Sequence, residues 1–462
     1  MKTKEMGQVF TPPNIVCDIL NKVDFVGYNT LTNTIMEASF GDGAFLVQIV
    51  ERIVKEGRLN CLSDDEIVSI VCNHVYGIEK DKKYYDKAIE NVRTVMQNNG
   101  ILYNGDFPNL TNGDTFQIYE QYIGEFDILV NNPPYVNLHS ILERDVIRQF
   151  DFSKSGMTDL YIAFFEIGIK MSKENGKLGY ITPNSYFTSK AGQDMRKYII
   201  DNQMLVEVVD YGHHQVFENA LTYACITILD KQNKDKSIKF TKQGQKEKTL
   251  KYDDFYINGS FYFGADPDFR DIINFNGRKQ CSVKNGCATL MDDFFINSEI
   301  AEKSKFSIPI VKTSTGKRYR CFYPYDKNGK VLPYSEIEKD DVSAKILQQN
   351  KERLLSRSIV DENLWYAFGR TQAIPDTYKN KYGINAIYRK AEDVHVTPCE
   401  VGCAVYGGMY ILTDLPIDKI KSILCSQEYI DYVSTIGKYK SGGYYTVSTK
   451  DIEKFLNYKL LH

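Results

Sequence analysis

No run of about 18 or more apolar residues occurs in this 462-residue chain, which argues against a membrane-crossing helix. The opening residues Met1-Lys2-Thr3-Lys4-Glu5-Met6 hold no apolar signal core, so no export signal is expected and the chain reads as cytoplasmic. Paired metal-ligand spacing is also missing. The ten cysteines form no CxxC pair; Cys281 with Cys287, and Cys399 with Cys403, stand without a matching second pair. Reduced thiols are expected, not disulfides or zinc sites. The six histidines include no HExxH, His213-His214 reads as a solvated or capping pair, and no metal is expected. There is no phosphate loop with Gly-Lys-Ser/Thr, no three-glycine dinucleotide fingerprint and no Asp…Glu-x-Lys nuclease constellation. An excess of one charge is lacking as well: the net charge is −3, so any nucleic-acid surface has to be a local patch.

What is present is an apolar run, Phe126-Asp127-Ile128-Leu129-Val130, that stops at Asn132-Pro133-Pro134-Tyr135. Proline cannot continue a ladder and holds its predecessor extended, so a stiff loop is expected at a strand's carboxyl end. Open α/β sheets place their ligands there. The loop offers one amide side chain, proline carbonyls and one aromatic face. That set fits a planar substrate bearing an amino group.

Three further segments precede it in order. Thr34-Ile35-Met36-Glu37 leads into Gly41-Asp42-Gly43 and a helical pattern through Ile53, the strand–turn–helix opening of a doubly wound fold. Glu37 ends that strand where it can face an ammonium, and Gly41 and Gly43 permit close approach of a ligand. Val75-Tyr76-Gly77-Ile78-Glu79 is a second strand ending in an acid, with Asp81 as the cap of the following helix. Ile101-Leu102-Tyr103-Asn104-Gly105-Asp106-Phe107 reads as a third. Farther on, strands are expected near 177–182, 205–211 and 222–229, and a helix opening at Asp159-Leu160-Tyr161 and running through Met171. This alternation argues a mostly parallel, doubly wound α/β sheet.

These motifs resemble those of amino-group methyltransferases that use S-adenosylmethionine. The resemblance implies that Asn132, Pro133, Pro134 and Tyr135 form the catalytic loop. It places the ribose hydroxyls of the cofactor on Glu79, the adenine amino group on Asp106 with Phe107 beside the ring, and the methionine end near Thr11 and Pro12 of Gly7-Gln8-Val9-Phe10-Thr11-Pro12-Pro13. Tyr135 stacks on a flipped base, and Phe217 either covers its opposite face or fills the core. The chain departs from the family's first glycine motif at Ala38 and Phe40, where proline and cysteine are usual.

The carboxyl-terminal half changes character. Short Tyr-, Phe- and Gly-rich runs mix with helical stretches at Asp341–Ser358 and Ile417–Thr435. Lys312-Thr313-Ser314-Thr315-Gly316-Lys317-Arg318-Tyr319-Arg320 is basic and hydroxyl-rich, suited to phosphate contacts through Lys317, Arg318 and Arg320. The single tryptophan, Trp365, reads as a core anchor, and beside it lie Arg370 and Gln372, side chains that can read guanine and adenine edges. With Gly407–Leu412 and Gly442–Ser448 this half resembles a TaqI-type target-recognition domain. The expected organisation is a catalytic domain at 1–235, a lysine-rich linker at 236–255 and a mixed α+β recognition domain at 256–462. The motif order is that of gamma-type DNA adenine-N6 methyltransferases. The resemblance implies a monomer in catalysis, double-stranded DNA as partner and a separately encoded restriction endonuclease. RNA guanine-N2 and protein glutamine methyltransferases share the loop and are the rival enzyme readings. A catalytically silent DNA-specificity protein is the rival of another class.

Overall fold

The computed structural model describes residues 11–138, 144–154, 156, 158–214, 216–217, 223–263, 267–359 and 361–462. Gly7–Phe10, part of a motif quoted above, lie outside the described residues. Among the described residues no helix is long and apolar enough to cross a membrane. The chain divides into two compact units, 1–264 and 265–462.

The first unit is built on one sheet of nine strands. They are β1 (Ile35–Glu37), β2 (Val75–Glu79), β3 (Leu110–Asn112), β4 (Phe126–Asn131), β5 (Ser172–Pro183), β6 (Leu205–Asp210), β7 (Ala224–Asp230), β8 (Ser237–Lys242) and β9 (Lys248–Lys251). Their order is β3-β2-β1-β4-β5-β7-β6-β8-β9. β3, β2, β1, β4 and β5 run parallel, with Ile35 opposite both Val75 and Ile128. β7 is antiparallel to both β5 and β6. The strand order reverses between β1 and β4, the switch point at which such sheets bind ligands.

Both faces are covered, which is why β1 and β4 read as near-continuous apolar runs. One core layer joins Ile35, Ile128 and Val130 to the helices Pro13–Lys22, Ala44–Leu59 and Lys82–Asn98; the other joins Met36 and Leu129 to the helix Leu160–Met171. In Ala44–Leu59 the buried Phe45, Leu46, Ile49, Val50, Ile53 and Val54 recur at helical spacing. Each such side chain contributes about 1.5–3 kcal/mol when fully buried. Gly43 starts this helix at φ +86°, and a Cβ there would lie 3.0 Å from the Ala88 Cβ, so the two helices approach only because it is glycine. Asp81 caps Lys82–Asn98 by accepting from the Lys83 amide at 2.9 Å.

Two expectations differ from the structure. Residues 101–105 form no strand; β3 lies later and pairs Leu110, Thr111 and Asn112 with Gly77, Ile78 and Glu79. Of residues 101–105 only Ile101 is buried and Leu102 is exposed, so no apolar face is available to pair. Residues 236–255 are not a linker but form β8, β9 and the short helix Tyr252–Phe255. Ile238 and Phe240 alternate with Lys239 and Thr241, so Lys239 occupies the outer face of a strand whose inner face is buried. A hairpin of β10 (Tyr256–Ile257) and β11 (Ser260–Phe261) follows.

The second unit has three smaller sheets. β12 (Ser282–Asn285), β19 (Met409–Leu412), β15 (Lys381–Ile384) and β17 (Val396–Cys399) form one, in that order. β14 (Lys317–Phe322), β13 (Ser307–Lys312) and β18 (Ala404–Tyr406) form the second; β16 (Ile387–Tyr388), β21 (Tyr444–Thr446) and β20 (Tyr439–Lys440) form the third. The expected helical stretches are broken in two, as Asp341–Gln349 with Lys351–Leu355 and Ile417–Leu424 with Gln427–Ile436. Trp365 is buried in this unit's core beside Tyr366 and Phe368.

Candidate active site

The carboxyl ends of β1, β2, β3 and β4 open into a cavity of about 410 Å³. Thr11, Glu37, Gly41, Glu79, Asn132, Pro133 and Pro134 all line it, although they are spread over more than a hundred residues of chain. Gly41 adopts φ +53°, and its amide donates to Glu79 Oε2 at 2.8 Å; Glu79 Oε1 accepts from the Asp81 amide at 2.8 Å. The glycine turn after β1 and the acid ending β2 are therefore tied together at the cavity floor. Burial raises the pKa of Glu79. Glu37 is fully enclosed, its Oε2 has no hydrogen-bond partner, and burial together with the charges of Asp42 and Glu79 pushes its carboxyl well above the usual range. A buried, unpaired carboxylate oxygen among other acids is costly unless a cation joins it. The donor set thus fits a ligand carrying positive charge.

Asn132 begins the stiff loop after β4. Its Nδ2 donates to Thr11 Oγ1 at 3.0 Å, and the Tyr135 hydroxyl donates to its Oδ1 at 2.6 Å. Tyr135 is half-buried and does not line the cavity. Its ring centre lies 6.1 Å from that of Phe217, with the planes tilted by 58°. Phe217 is buried in the core at 1% exposure. Pro12 caps the helix Pro13–Lys22 and Gly43 serves the helix approach; neither lines the cavity.

Asp106 and Phe107 do not reach the cavity. Asp106 is exposed, and Phe107 packs against Tyr103 with the Arg93 guanidinium over its ring. Asp114 and Phe116 occupy the lip instead, immediately after β3. Asp114 caps the turn by accepting from the Phe116 amide at 3.0 Å and pairs with Lys80 at 2.8 Å. The signal was in the sequence twice: Asn104-Gly105-Asp106-Phe107 and Asn112-Gly113-Asp114-Thr115-Phe116 are near-copies, and only the second follows a strand paired with β2.

Residues 45–217 match the family described as Eco57I restriction-modification methylase. Over 79% of its length this chain is 24% identical to the type II restriction enzyme and methyltransferase RM.Eco57I of Escherichia coli, of which it spans 47%. It is 22% identical to the type II methyltransferase M.BstVI of Geobacillus stearothermophilus, over 77% of this chain and 72% of that one. Among solved structures, the type IIL restriction-modification enzyme MmeI in complex with DNA shares the fold, with a TM-score of 0.66 at 14% identity over 95% of this chain and 65% of that one.

The matched segment contains Glu79, Asp114 and the Asn132 loop, whereas Glu37 and Thr11 precede it and the polar candidates of the second unit lie beyond it. Lys317 is exposed at the start of β14. Arg318 donates to Glu400 at 3.0 Å and to the Pro398 carbonyl at 3.1 Å, while Arg320 donates to the Ala301 and Ser307 carbonyls. Those two arginines are engaged within their own unit. Arg370 and Gln372 are exposed. Sequence reasoning passed over Arg389, whose guanidinium lies 5.1 Å from the Tyr444 ring centre on the third sheet. It also passed over a groove of about 300 Å³ lined by Thr315, His395, Thr397 and Lys421.

Proposed function

We propose that this chain is a DNA methyltransferase of a restriction-modification system, acting on the exocyclic N6 amine of adenine with S-adenosylmethionine as methyl donor. One observation carries the reading: the Asn132-Pro133-Pro134 loop opens onto the same acid-lined cavity as Glu37 and Glu79, at the switch point of a parallel sheet. The relatives named above are described as methyltransferases, and MmeI was solved with DNA, which supports DNA as the substrate class.

When bound, S-adenosylmethionine supplies an electrophilic methyl on a positively charged sulfur. In this chain Glu37 would face its ammonium, Glu79 its ribose hydroxyls, and Asp114 with Phe116 its adenine. The exocyclic amine of adenine is a weak nucleophile because its lone pair is delocalised into the ring. Asn132 Oδ1 and the Pro133 carbonyl accept its two N–H bonds, which draws the nitrogen toward tetrahedral geometry and frees the lone pair. Positioning and electrostatics carry the acceleration. The target atom is unreachable inside a duplex, so the base flips at a cost of a few kcal/mol. Tyr135 offers the ring on which it stacks. Lys317, Arg370 and Gln372 are the foremost candidates for DNA contacts, beside the exposed but internally bonded Arg318 and Arg320, and a separately encoded endonuclease is the partner such a system implies.

The test is single-molecule sequencing of DNA from a methylation-free bacterial host expressing the chain, beside an Asn132→Ala control. N6-methyladenine at one short motif, absent in the control, is the expected result. Unmodified adenines in both would overturn the reading and turn attention to RNA or protein amides.

A further inference from the structure

Thr11 lies 121 residues from Asn132 in sequence, yet its hydroxyl oxygen takes the Asn132 amide hydrogen at 3.0 Å. It is buried at 6% exposure. The segment that carries it is fixed: Pro12 and Pro13 set the backbone, and the helix they start buries Ile15, Val16, Ile19 and Leu20 in the core. On the other side the Tyr135 hydroxyl donates to Asn132 Oδ1 at 2.6 Å, with the Ile181 carbonyl 3.2 Å from the same hydroxyl. Burial, with Cys225 and Tyr161 nearby, keeps that phenol protonated. An asparagine amide turns easily about its last torsion, so its partners decide which way oxygen and nitrogen face. Turned by half a revolution, Asn132 would present N–H donors where an incoming amine needs an acceptor.

We propose that Thr11 is a positioning residue for methyl transfer: its hydroxyl oxygen anchors the Asn132 amide so that Oδ1 is the atom offered to the substrate amine, with the Tyr135 hydroxyl as second anchor. This rests on the amine-methylation reading above. It gives Tyr135 a role in its hydroxyl separate from stacking by its ring. It also moves Thr11 from the cofactor's methionine end to the acceptor side of the reaction.

The experiment is steady-state methyl transfer to duplex DNA by the full chain and by Thr11→Val, Thr11→Ser, Tyr135→Phe and the Thr11→Val/Tyr135→Phe double variant, with S-adenosylmethionine affinity measured by calorimetry on each. Valine keeps the shape of threonine and removes the acceptor, and thermal melting checks that each variant is folded. Expected is a kcat loss of about 10–100-fold for Thr11→Val, since small misplacements at a reacting centre cost this much. KM for DNA and the cofactor Kd stay within about twofold, the pattern of an interaction that acts on the chemical step. Thr11→Ser restores most of the rate. Tyr135→Phe is slowed, and the double variant loses less than the product of the two single losses, because both act on one amide. A Thr11→Val variant at wild-type kcat overturns the proposal. So does a rate loss matched by an equal loss of cofactor affinity, a serine variant as slow as the valine one, or fully multiplicative losses. A wild-type chain that transfers no methyl group to DNA at all overturns the function reading itself, a distinct outcome.

Discussion

The two units put their candidate residues to use in different ways. In the first, side chains from Thr11 to Asn132 converge on one enclosed cavity, and several are held by backbone hydrogen bonds. In the second, Lys317, Arg370 and Gln372 stand exposed, while Arg318 and Arg320 are spent on contacts within the unit. Chemistry at an amine needs desolvated, oriented groups, so convergence is forced. Contact with a charged polymer needs only reach and a surface, so nothing forces such residues together. Burial therefore discriminates among candidates in the first unit, whereas in the second all five candidates are exposed and only their hydrogen bonds tell them apart.

The comparison is tested most strongly by Asn132→Ala. Methyl transfer is expected to fall by roughly 10²–10³-fold or more, the scale for removing a preorganised polar group at a reacting centre. Cofactor affinity, measured by calorimetry, should hold; near-normal turnover would break the contrast between the units.

Glu37→Gln is expected to weaken S-adenosylmethionine binding by about tenfold or more, an ion-paired contact of over 1.4 kcal/mol. The same variant should melt higher than the wild type without cofactor. The Glu37 carboxyl is raised by burial and by Asp42 and Glu79. A raised carboxyl favours the fold while protonated, so that share of stability is present at low pH and is lost as pH rises through the raised pKa. A cationic ligand pairs with the ionised form, so cofactor-induced stabilisation should grow across that window. Melting curves with and without cofactor over rising pH check both signs, and a cofactor effect independent of pH would count against Glu37 as the ammonium site.

Asp114→Ala should reduce cofactor affinity severalfold while Asp106→Ala leaves it intact, since only the former lines the cavity. Equal losses would erase the distinction between the two Asn-Gly-Asp copies. The smallest effect is expected at the surface. Lys317→Ala should lower the slope of log affinity against log salt by about 0.9, one phosphate contact. Arg318→Ala should change that slope less, because its guanidinium is already paired with Glu400.

Much of the first unit was legible before the structure. β4 and the helices Lys82–Asn98 and Leu160–Met171 follow from apolar periodicity, and the Pro133-Pro134 stop marks a loop whatever surrounds it. The errors share a cause. Asp106 and Asp114 have nearly the same local sequence, and only pairing with β2 separates them. The lysines of β8 look like a solvated run because side-chain charge hides the alternation of Ile238 and Phe240 beneath it. Arg318 looks available until Glu400, distant in sequence, is placed beside it.

What the sequence by itself determined is the set of elements and the residue types at their ends, because periodicity, capping and proline geometry act over a few residues. The tertiary structure alone decided which strand ends share a cavity, which acids are enclosed there, and that Thr11 meets Asn132 across 121 residues. Those outcomes depend on strand order and helix packing, which join groups remote in the chain, and no local pattern encodes a distance between them.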